Sequence, residues 1–244
     1  MSYELSSALI IKIAVFLLVS FLLALVFFNQ KIALNFKSSI SEISPKVQLQ
    51  LKKSNWHENC PINLNELASV KFSYWGFDNR THLGGLIVNK ELAKEVVDIF
   101  KVLYINKFPI QKIAIFNEDD NTAMAANITS AFKCREVTGQ PGIFSQHSYG
   151  RAIDINPLIN PYVKNKIILP FTGAKFVDRN IYTPGKITKD SIVYKEFINH
   201  GWDWGGSWFD LQDYQHFEKR AHGERRNPYG YENNNSKKEN LDKF

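Results

Sequence analysis

The longest apolar run of the chain lies near its N-terminus, from residue 8 to residue 28, and only Lys12 and Ser20 interrupt it. At a rise of 1.5 Å per residue, this run makes about 31 Å of helix, enough to cross the core of a bilayer. The pattern predicts an uncleaved membrane anchor over residues 1–28. A cleavable signal peptide is the alternative, but the run ends in the bulky residues 25–28, where a signal peptidase requires small ones.

Beyond this run the pattern changes three times. Residues 29–55 are polar and weakly patterned, which predicts a stalk or linker. Residues 56–221 carry the strand-like and helix-like patterns of a folded domain. Residues 222–244 are rich in Asn, Lys and Glu, which predicts a disordered tail.

Inside the domain, short β-type runs alternate with two amphipathic stretches. A helix is predicted from a cap at Asn89 to about residue 104, and a second from residue 191 to residue 199. A loop is predicted at residues 119–121. Strands are predicted at residues 70–75, 84–88, 112–116, 152–156 and 214–218. Few helices and short strands predict an α+β fold, preceded by one N-terminal transmembrane helix.

The formal net charge of +6 lies in the flanks of the predicted domain. Residues 29–55 hold five Lys and one Glu, and residues 219–244 hold seven basic and four acidic side chains, whereas residues 56–218 hold 17 basic and 18 acidic ones. A nucleic-acid-binding domain carries its positive charge on the fold, so this distribution argues against one and favours anionic lipid or wall polymer near the flanks. The lysines after the apolar run would by themselves keep that side cytoplasmic, in conflict with the location that the chemistry below requires.

Two segments carry the residues of a reactive site. Residues 145–154 read Ser-Gln-His-Ser-Tyr-Gly-Arg-Ala-Ile-Asp, and residues 205–218 read Gly-Gly-Ser-Trp-Phe-Asp-Leu-Gln-Asp-Tyr-Gln-His-Phe-Glu. Two histidines and one aspartate make a three-ligand set with an open fourth position, the arrangement of catalytic zinc. A further carboxylate near such a metal can accept a proton from water, and Asp213 is the candidate for this base.

The spacing Ser-x-His-x-x-Gly-x-Ala-x-Asp, followed by Asp-x-x-His-Phe-Glu, resembles the zinc D-alanyl-D-alanine carboxypeptidase family, which includes L-alanyl-D-glutamate peptidases of phage endolysins. The resemblance implies Zn²⁺ bound by His147, Asp154 and His216, with Asp213 as the base. It implies a substrate-binding Arg upstream, for which Arg135 is the nearest fit, although the flanking residues differ from the family pattern. It also implies the small α+β fold shared with lysostaphin-type and hedgehog domains, which has a small antiparallel sheet and flanking helices.

Other residues near these motifs have two interpretations each. Ser145 is a candidate for substrate binding, and a turn-capping role is the alternative. Trp202, Trp204 and Trp208 are interpreted as core packing rather than as walls of a cleft. Outside the cytoplasm, Cys60 and Cys134 could form a disulfide that closes a long loop, and two buried free thiols are the alternative.

The sequence therefore predicts a zinc-dependent peptidase that acts on stem peptides of bacterial peptidoglycan, most simply as a D-alanyl-D-alanine carboxypeptidase. Its domain is expected outside the cytoplasm, in the periplasm or at the cell surface, with the membrane and peptidoglycan as partners and no nucleic acid. The alternatives are an endopeptidase that cuts L-Ala–D-Glu or a cross-link, and a zinc-containing domain that only binds the wall. A fourth hypothesis is an empty site in an adhesion or assembly factor.

Overall fold

The computed structural model describes residues 11–23, 35–115 and 119–230, in two compact units, Met1–Phe36 and Lys37–Phe244. In the first unit, residues 11–23 form a helix with exposed side chains. None of the helices within the described ranges has the length and apolar character needed to cross a bilayer, so the structure does not support the predicted transmembrane helix. Residues 8–10 and 24–28 of the predicted span lie outside the described residues.

The second unit includes residues that the sequence pattern assigned to a stalk. Strand β1 (Ser38–Glu42) pairs antiparallel with β2 (Leu67–Gly76), and helix α1 (Pro45–Ser54) buries Leu51. Ser44 caps α1 by accepting a hydrogen bond from the backbone N–H of residue 47. Residues 38–54 are thus part of the fold and not a linker. The side chains of β1 are exposed, so main-chain hydrogen bonds hold this edge strand and its sequence has no buried face to reveal it.

A hairpin and a helix form the regular part of this unit. β2 pairs antiparallel with β3 (Thr81–Asn89), and helix α2 (Ala93–Ile105) packs on β2. The rings of Phe72 and Phe100 lie 4.3 Å apart in this interface, and both side chains are buried. β4 (Pro109–Ile110) pairs in parallel with the end of β2. The strands predicted at residues 70–75 and 84–88 and the helix predicted from Asn89 are confirmed.

The rest of the unit consists of short strands and two short helices. One sheet has the order β12-β14-β9 and another has the order β11-β10-β13. Their strands are β9 (Ala152–Asp154), β10 (Tyr162–Lys164), β11 (Ile167–Leu169), β12 (Asp203–Trp204), β13 (Gln212–Asp213) and β14 (His216–Glu218). Two-stranded pairs are formed by β5 (Lys112–Ile113) with β6 (Ile128–Thr129), and by β7 (Glu136–Val137) with β8 (Gln140–Phe144). The α+β class is confirmed.

The two remaining helices differ in how well the sequence predicts them. The loop predicted at residues 119–121 is helix α3 (Asp120–Ala125), because the Asp119 side chain accepts a hydrogen bond from Thr122 N at 3.0 Å and caps it. Helix α4 (Ile192–Asn199) lies within the predicted range, and Ser191 caps it. Phe197 of α4 lies 6.5 Å from the Phe100 ring and 4.2 Å from the Phe217 ring, so it joins the regular part to the β14 sheet.

Two further contacts bear on the predicted organisation. Cys60 and Cys134 form a disulfide with an S–S distance of 1.99 Å, and Cys134 N donates to Asn55 O at 2.8 Å. At the C-terminus, the described residues continue to residue 230, and Arg226 is buried. Residues 222–230 therefore pack on the domain, where a disordered tail was predicted, and residues 231–244 lie outside the described residues.

Candidate metal centre

His147 is fixed by a short helical turn over Gln146–Tyr149. Ser145 caps this turn, since its Oγ accepts from His147 N at 3.3 Å. Gly150 ends it with a φ of 66°, and a Cβ at this position would lie 2.6 Å from Asn89 N. Glycine is therefore required both by the left-handed backbone and by the close approach of β3. The turn buries the imidazole and directs it into a cleft.

Asp154 and His216 come together through the register of two strands. β9 and β14 pair antiparallel, and Asp154 and His216 lie directly opposite each other. Opposed residues project from the same face of a sheet, which places the carboxylate beside the imidazole. The two segments that the sequence analysis singled out, 62 residues apart at these positions, thus meet at one point.

Three donor atoms converge at this point. His147 Nε2 lies 3.1 Å from Asp154 Oδ2 and 3.1 Å from His216 Nδ1, and His216 Nδ1 lies 2.9 Å from Asp154 Oδ1. These three residues form a group whose ligand atoms all lie within 4.8 Å of one another. Tetrahedral zinc with bonds of about 2.0–2.2 Å requires ligand atoms about 3.3–3.5 Å apart, close to the observed separations.

The outer nitrogens of both rings have oxygen acceptors, as the ligand histidines of a metal site require. His147 Nδ1 lies 2.5 Å from the Ala131 carbonyl oxygen, and His216 Nε2 lies 3.1 Å from Glu218 Oε2. A neutral ring that donates outward to these acceptors turns a lone pair inward, toward the other ring and the Asp154 carboxylate. Lone pairs aimed at one another repel unless a cation lies between them. The donor set therefore fits a metal ion.

The surrounding charges favour positive charge at the same point. Burial opposes ionisation of Asp154, but the charges and hydrogen bonds of His147 and His216 hold its pKa well below the usual range. Burial lowers the pKa of His216, whereas its bonds to Asp154 and Glu218 raise it to about 10. The carboxylates that favour a proton on His216 also favour a metal cation beside it. Metal and proton therefore compete for the site.

Glu218 and Arg220 form an outer layer that the sequence analysis did not assign. The Glu218 carboxylate accepts from Arg220 Nε at 2.7 Å, through the oxygen that does not face His216. Burial opposes ionisation of Glu218, but His216 and Arg220 lower its pKa. The sequence contained a signal for this role of Glu218. Residues two apart on a strand project from the same face, so a strand through His216 places Glu218 beside it.

Asp213 lies in the same cleft as the three donors. Its Oδ1 atom is enclosed and has no hydrogen-bond partner among the described residues. Burial raises the pKa of Asp213 to about 6, with the charge of His216 opposing this rise and that of Asp154 adding to it. A carboxylate with this pKa exchanges its proton near neutral pH, as a general base must.

The structure also places Arg135 and Ser145 at the cleft. Arg135 Nε lies 3.1 Å from Asp120 Oδ2, and Lys133 Nζ lies 3.6 Å from the other oxygen of Asp120. Arg135 thus stands on the cleft wall, paired with an acid of α3. The Ser145 hydroxyl caps the turn that carries His147, which is the alternative role given to it above.

The cleft has a volume of about 320 Å³, large enough for a short peptide segment. Trp208 forms part of its wall, 5.5 Å from the His216 ring, although the sequence analysis interpreted this residue as core packing. Trp202 and Trp204 are buried, as that interpretation expects. Tyr162 and Arg226 line the cleft as well.

A second group of metal-ligand residues in the described part of the chain has a different chemistry. His57, Cys60 and Cys134 also bring their ligand atoms within 4.8 Å of one another. However, both sulfurs belong to the disulfide, so no thiolate is present to bind a metal. This leaves the His147 group as the candidate metal centre.

A comparison with known proteins also points to the part of the chain that carries the three donor residues. Residues 138–219, about a third of the chain, match the family model described as D-alanyl-D-alanine carboxypeptidase. Neither the curated proteins nor the solved structures contain a significant match to the chain. The matched residues include the three converging donors, Asp213 and Glu218. Over residues 138–219 the family resemblance predicted from the two motifs is therefore confirmed.

Proposed function

We propose that this chain is a zinc-dependent D-alanyl-D-alanine carboxypeptidase that trims stem peptides of peptidoglycan. The observation that carries the proposal is the convergence of three inward-facing donor atoms at 2.9–3.1 Å beside a carboxylate oxygen without a partner. A structural zinc site has four protein ligands, whereas three ligands and a separate base are the arrangement of a hydrolase. The family match supports a peptidase of this class.

His147, Asp154 and His216 would hold the ion through two nitrogens and one oxygen, a donor set that suits zinc. When bound, zinc supplies Lewis acidity toward the scissile carbonyl and lowers the pKa of water to near 7. Glu218 and the Ala131 carbonyl keep both imidazoles in the tautomer that a metal needs. The chain thus contributes both the ligands and the groups that orient them.

Asp213 is the proposed general base. Its enclosed carboxylate accepts the proton of the attacking water and passes it to the leaving amine, while its raised pKa brings the two proton transfers close in energy. A positive group that faces the carbonyl oxygen stabilises the negative charge that develops in the transition state. We assign this role to Arg135, which lies on the wall of the same cleft.

The charge of the cleft supports removal of a terminal residue over internal cleavage. Lys133 and Arg135 stand together on one wall and share Asp120 as their carboxylate partner. A substrate with a free C-terminal carboxylate offers Lys133 the same chemical group, while Arg135 faces the scissile carbonyl. An internal peptide bond offers a neutral amide at the corresponding place.

We place the domain outside the cytoplasm because its proposed substrate lies there. The disulfide between Cys60 and Cys134 supports this location, since disulfides persist in oxidising compartments. Accessibility of the domain to an added protease in intact cells tests it: a cytoplasmic domain would be protected until the cells are broken.

The proposed activity is tested with the purified full-length chain and defined muropeptides that end in D-Ala-D-Ala. We expect release of free D-Ala, loss of that release after chelation, and recovery on addition of zinc. Cleavage inside the stem would instead establish an endopeptidase. Stoichiometric zinc with no turnover of any stem peptide would refute the enzyme and leave a wall-binding domain.

A further inference from the structure

Arg226 lies on the cleft beyond the end of the matched segment at residue 219. Only 3% of its side chain is exposed. Its two terminal nitrogens donate to the two oxygens of Asp210 at 3.0 and 2.8 Å, and one of them also donates to Asn227 O at 2.8 Å. Such a two-point pairing fixes the plane of the guanidinium as well as its position.

The fixed guanidinium lies over Trp208. Its central carbon is 4.0 Å from the centre of the indole ring, within the range of a strong cation–π contact. The same indole lies 5.5 Å from the His216 ring. The Trp208 indole therefore contacts both His216 and Arg226. Its orientation as part of the cleft wall depends on these two contacts.

Arg226 belongs to a chain segment that is held to the domain at several further points. We call residues 226–230 the C-terminal segment. Phe209 N donates to Pro228 O at 2.7 Å, and the rings of Phe209 and Tyr229 stack 5.0 Å apart. These contacts hold the C-terminal segment against the loop that carries Trp208.

We propose that the C-terminal segment completes the substrate cleft, and that Arg226 is a positioning residue that fixes Trp208 as the wall beside the metal centre. This inference rests on the proposed peptidase function and adds a specificity element outside the matched segment. Arg226 acts on substrate through Trp208. Its loss should therefore weaken peptide binding and leave proton transfer by Asp213 unchanged.

The first test compares Arg226→Gln with Arg225→Gln in the full-length chain. The two arginines are neighbours and each pairs with one aspartate, but the Arg225 side chain is 64% exposed. We expect Arg226→Gln to raise KM about tenfold with kcat within about twofold, the size of a desolvated cation–π contact. Arg225→Gln should leave both constants within about twofold. An unchanged KM in Arg226→Gln would overturn the inference.

A double-mutant cycle tests whether Arg226 acts through Trp208. Trp208→Leu alone should raise KM at least as far, and adding Arg226→Gln to it should have no further effect. Fully additive increases would show that Arg226 contacts substrate independently and would refute the positioning role. If Arg226→Gln does not fold, Asp210→Asn removes the same two-point pairing, and it should raise KM in the same way.

A binding measurement separates this inference from the proposed function. In an Asp213→Asn background, calorimetry with an uncleaved stem pentapeptide should show weaker binding when Arg226→Gln is added, at unchanged zinc stoichiometry. If the wild-type chain turns over no stem peptide, the proposed function fails. If it turns them over and Arg226→Gln matches it in KM and in peptide affinity, only the inference fails.

Discussion

The β2–β3–α2 part of the domain and the part that carries the metal centre are built on different principles. The first has a long hairpin in continuous register from Leu67↔Asn89 to Trp75↔Thr81, and an apolar interface with α2. The two sheets of the second have strands of two or three residues, and charged side chains such as Glu218 are buried in it. Regular pairing and apolar burial stabilise the first part, whereas polar bonds specify the geometry of the second.

The regular part also supports the site. Asn89, the last residue of β3, donates its N–H to the carbonyl of Gly150 at 2.8 Å, between the two ligand residues of the first motif. Phe197 bridges Phe100 and Phe217. If this division of roles is right, changes in the regular part alter the free energy of unfolding, and changes in the site alter chemistry or metal affinity.

The largest expected effect is that of Asp213→Asn on catalysis. The amide keeps the shape of the side chain and cannot accept the proton, so kcat should fall by about 10²–10⁴-fold. Zinc stoichiometry and the free energy of unfolding should stay close to wild type. Asp190→Asn, at an exposed position, is the control and should retain full activity. Steady-state kinetics on a D-Ala-D-Ala muropeptide measure the change, and retained activity in Asp213→Asn would exclude it as the base.

Phe72→Ala should lower the free energy of unfolding and leave zinc affinity unchanged. The side chain is fully buried against Phe100, so its removal should lower the free energy of unfolding by about 3–5 kcal/mol. Leu83→Ala, on the paired strand but 69% exposed, should change it by less than about 0.5 kcal/mol. Denaturant titration measures both. Zinc affinity, measured where each variant is folded, should be unchanged, and a parallel loss of affinity would contradict the division of roles.

Glu218→Gln tests the outer layer of the site. The amide weakens the acceptor for the His216 N–H, so zinc affinity should fall by about 10–100-fold. Competition with a chromogenic chelator gives the dissociation constant. Glu224→Gln, at an exposed position shortly after β14, should bind zinc like the wild type. Equal affinity in Glu218→Gln would mean that this carboxylate does not orient the ligand.

The smallest effect is the dependence of rate on pH. Asp213 must be ionised to accept a proton, and its raised pKa of about 6 leaves it protonated at lower pH. We therefore expect kcat/KM to fall about tenfold per pH unit below about 6 and to level off above it. Loss of zinc through protonation of the histidines would give a similar fall. Excess zinc separates the two causes. It would shift a decrease in kcat/KM that results from zinc loss to lower pH, and it would not shift a decrease that results from protonation of Asp213.

The same contrast explains what could be predicted from the sequence. The helix from Asn89 and its two preceding strands are long enough for periodicity to reveal them, and fixed spacing reveals His147, Asp154 and His216 as a set. Strand β1 was not predicted, because its side chains are exposed and show no buried face. The roles of Trp208 and Arg226 in the cleft were not predicted, because they arise from contacts between distant loops, which local spacing does not encode.

The pairing of Asp154 with His216 also has a consequence for how this sequence can change in evolution. Because the ligand set is defined by strand register, one residue inserted within β9 or β14 would turn a ligand to the opposite face. The exposed residues 180–182, which lie between β11 and α4, are outside every paired strand and carry no such constraint. Homologues are therefore expected to tolerate insertions there, and to show none within β9 or β14.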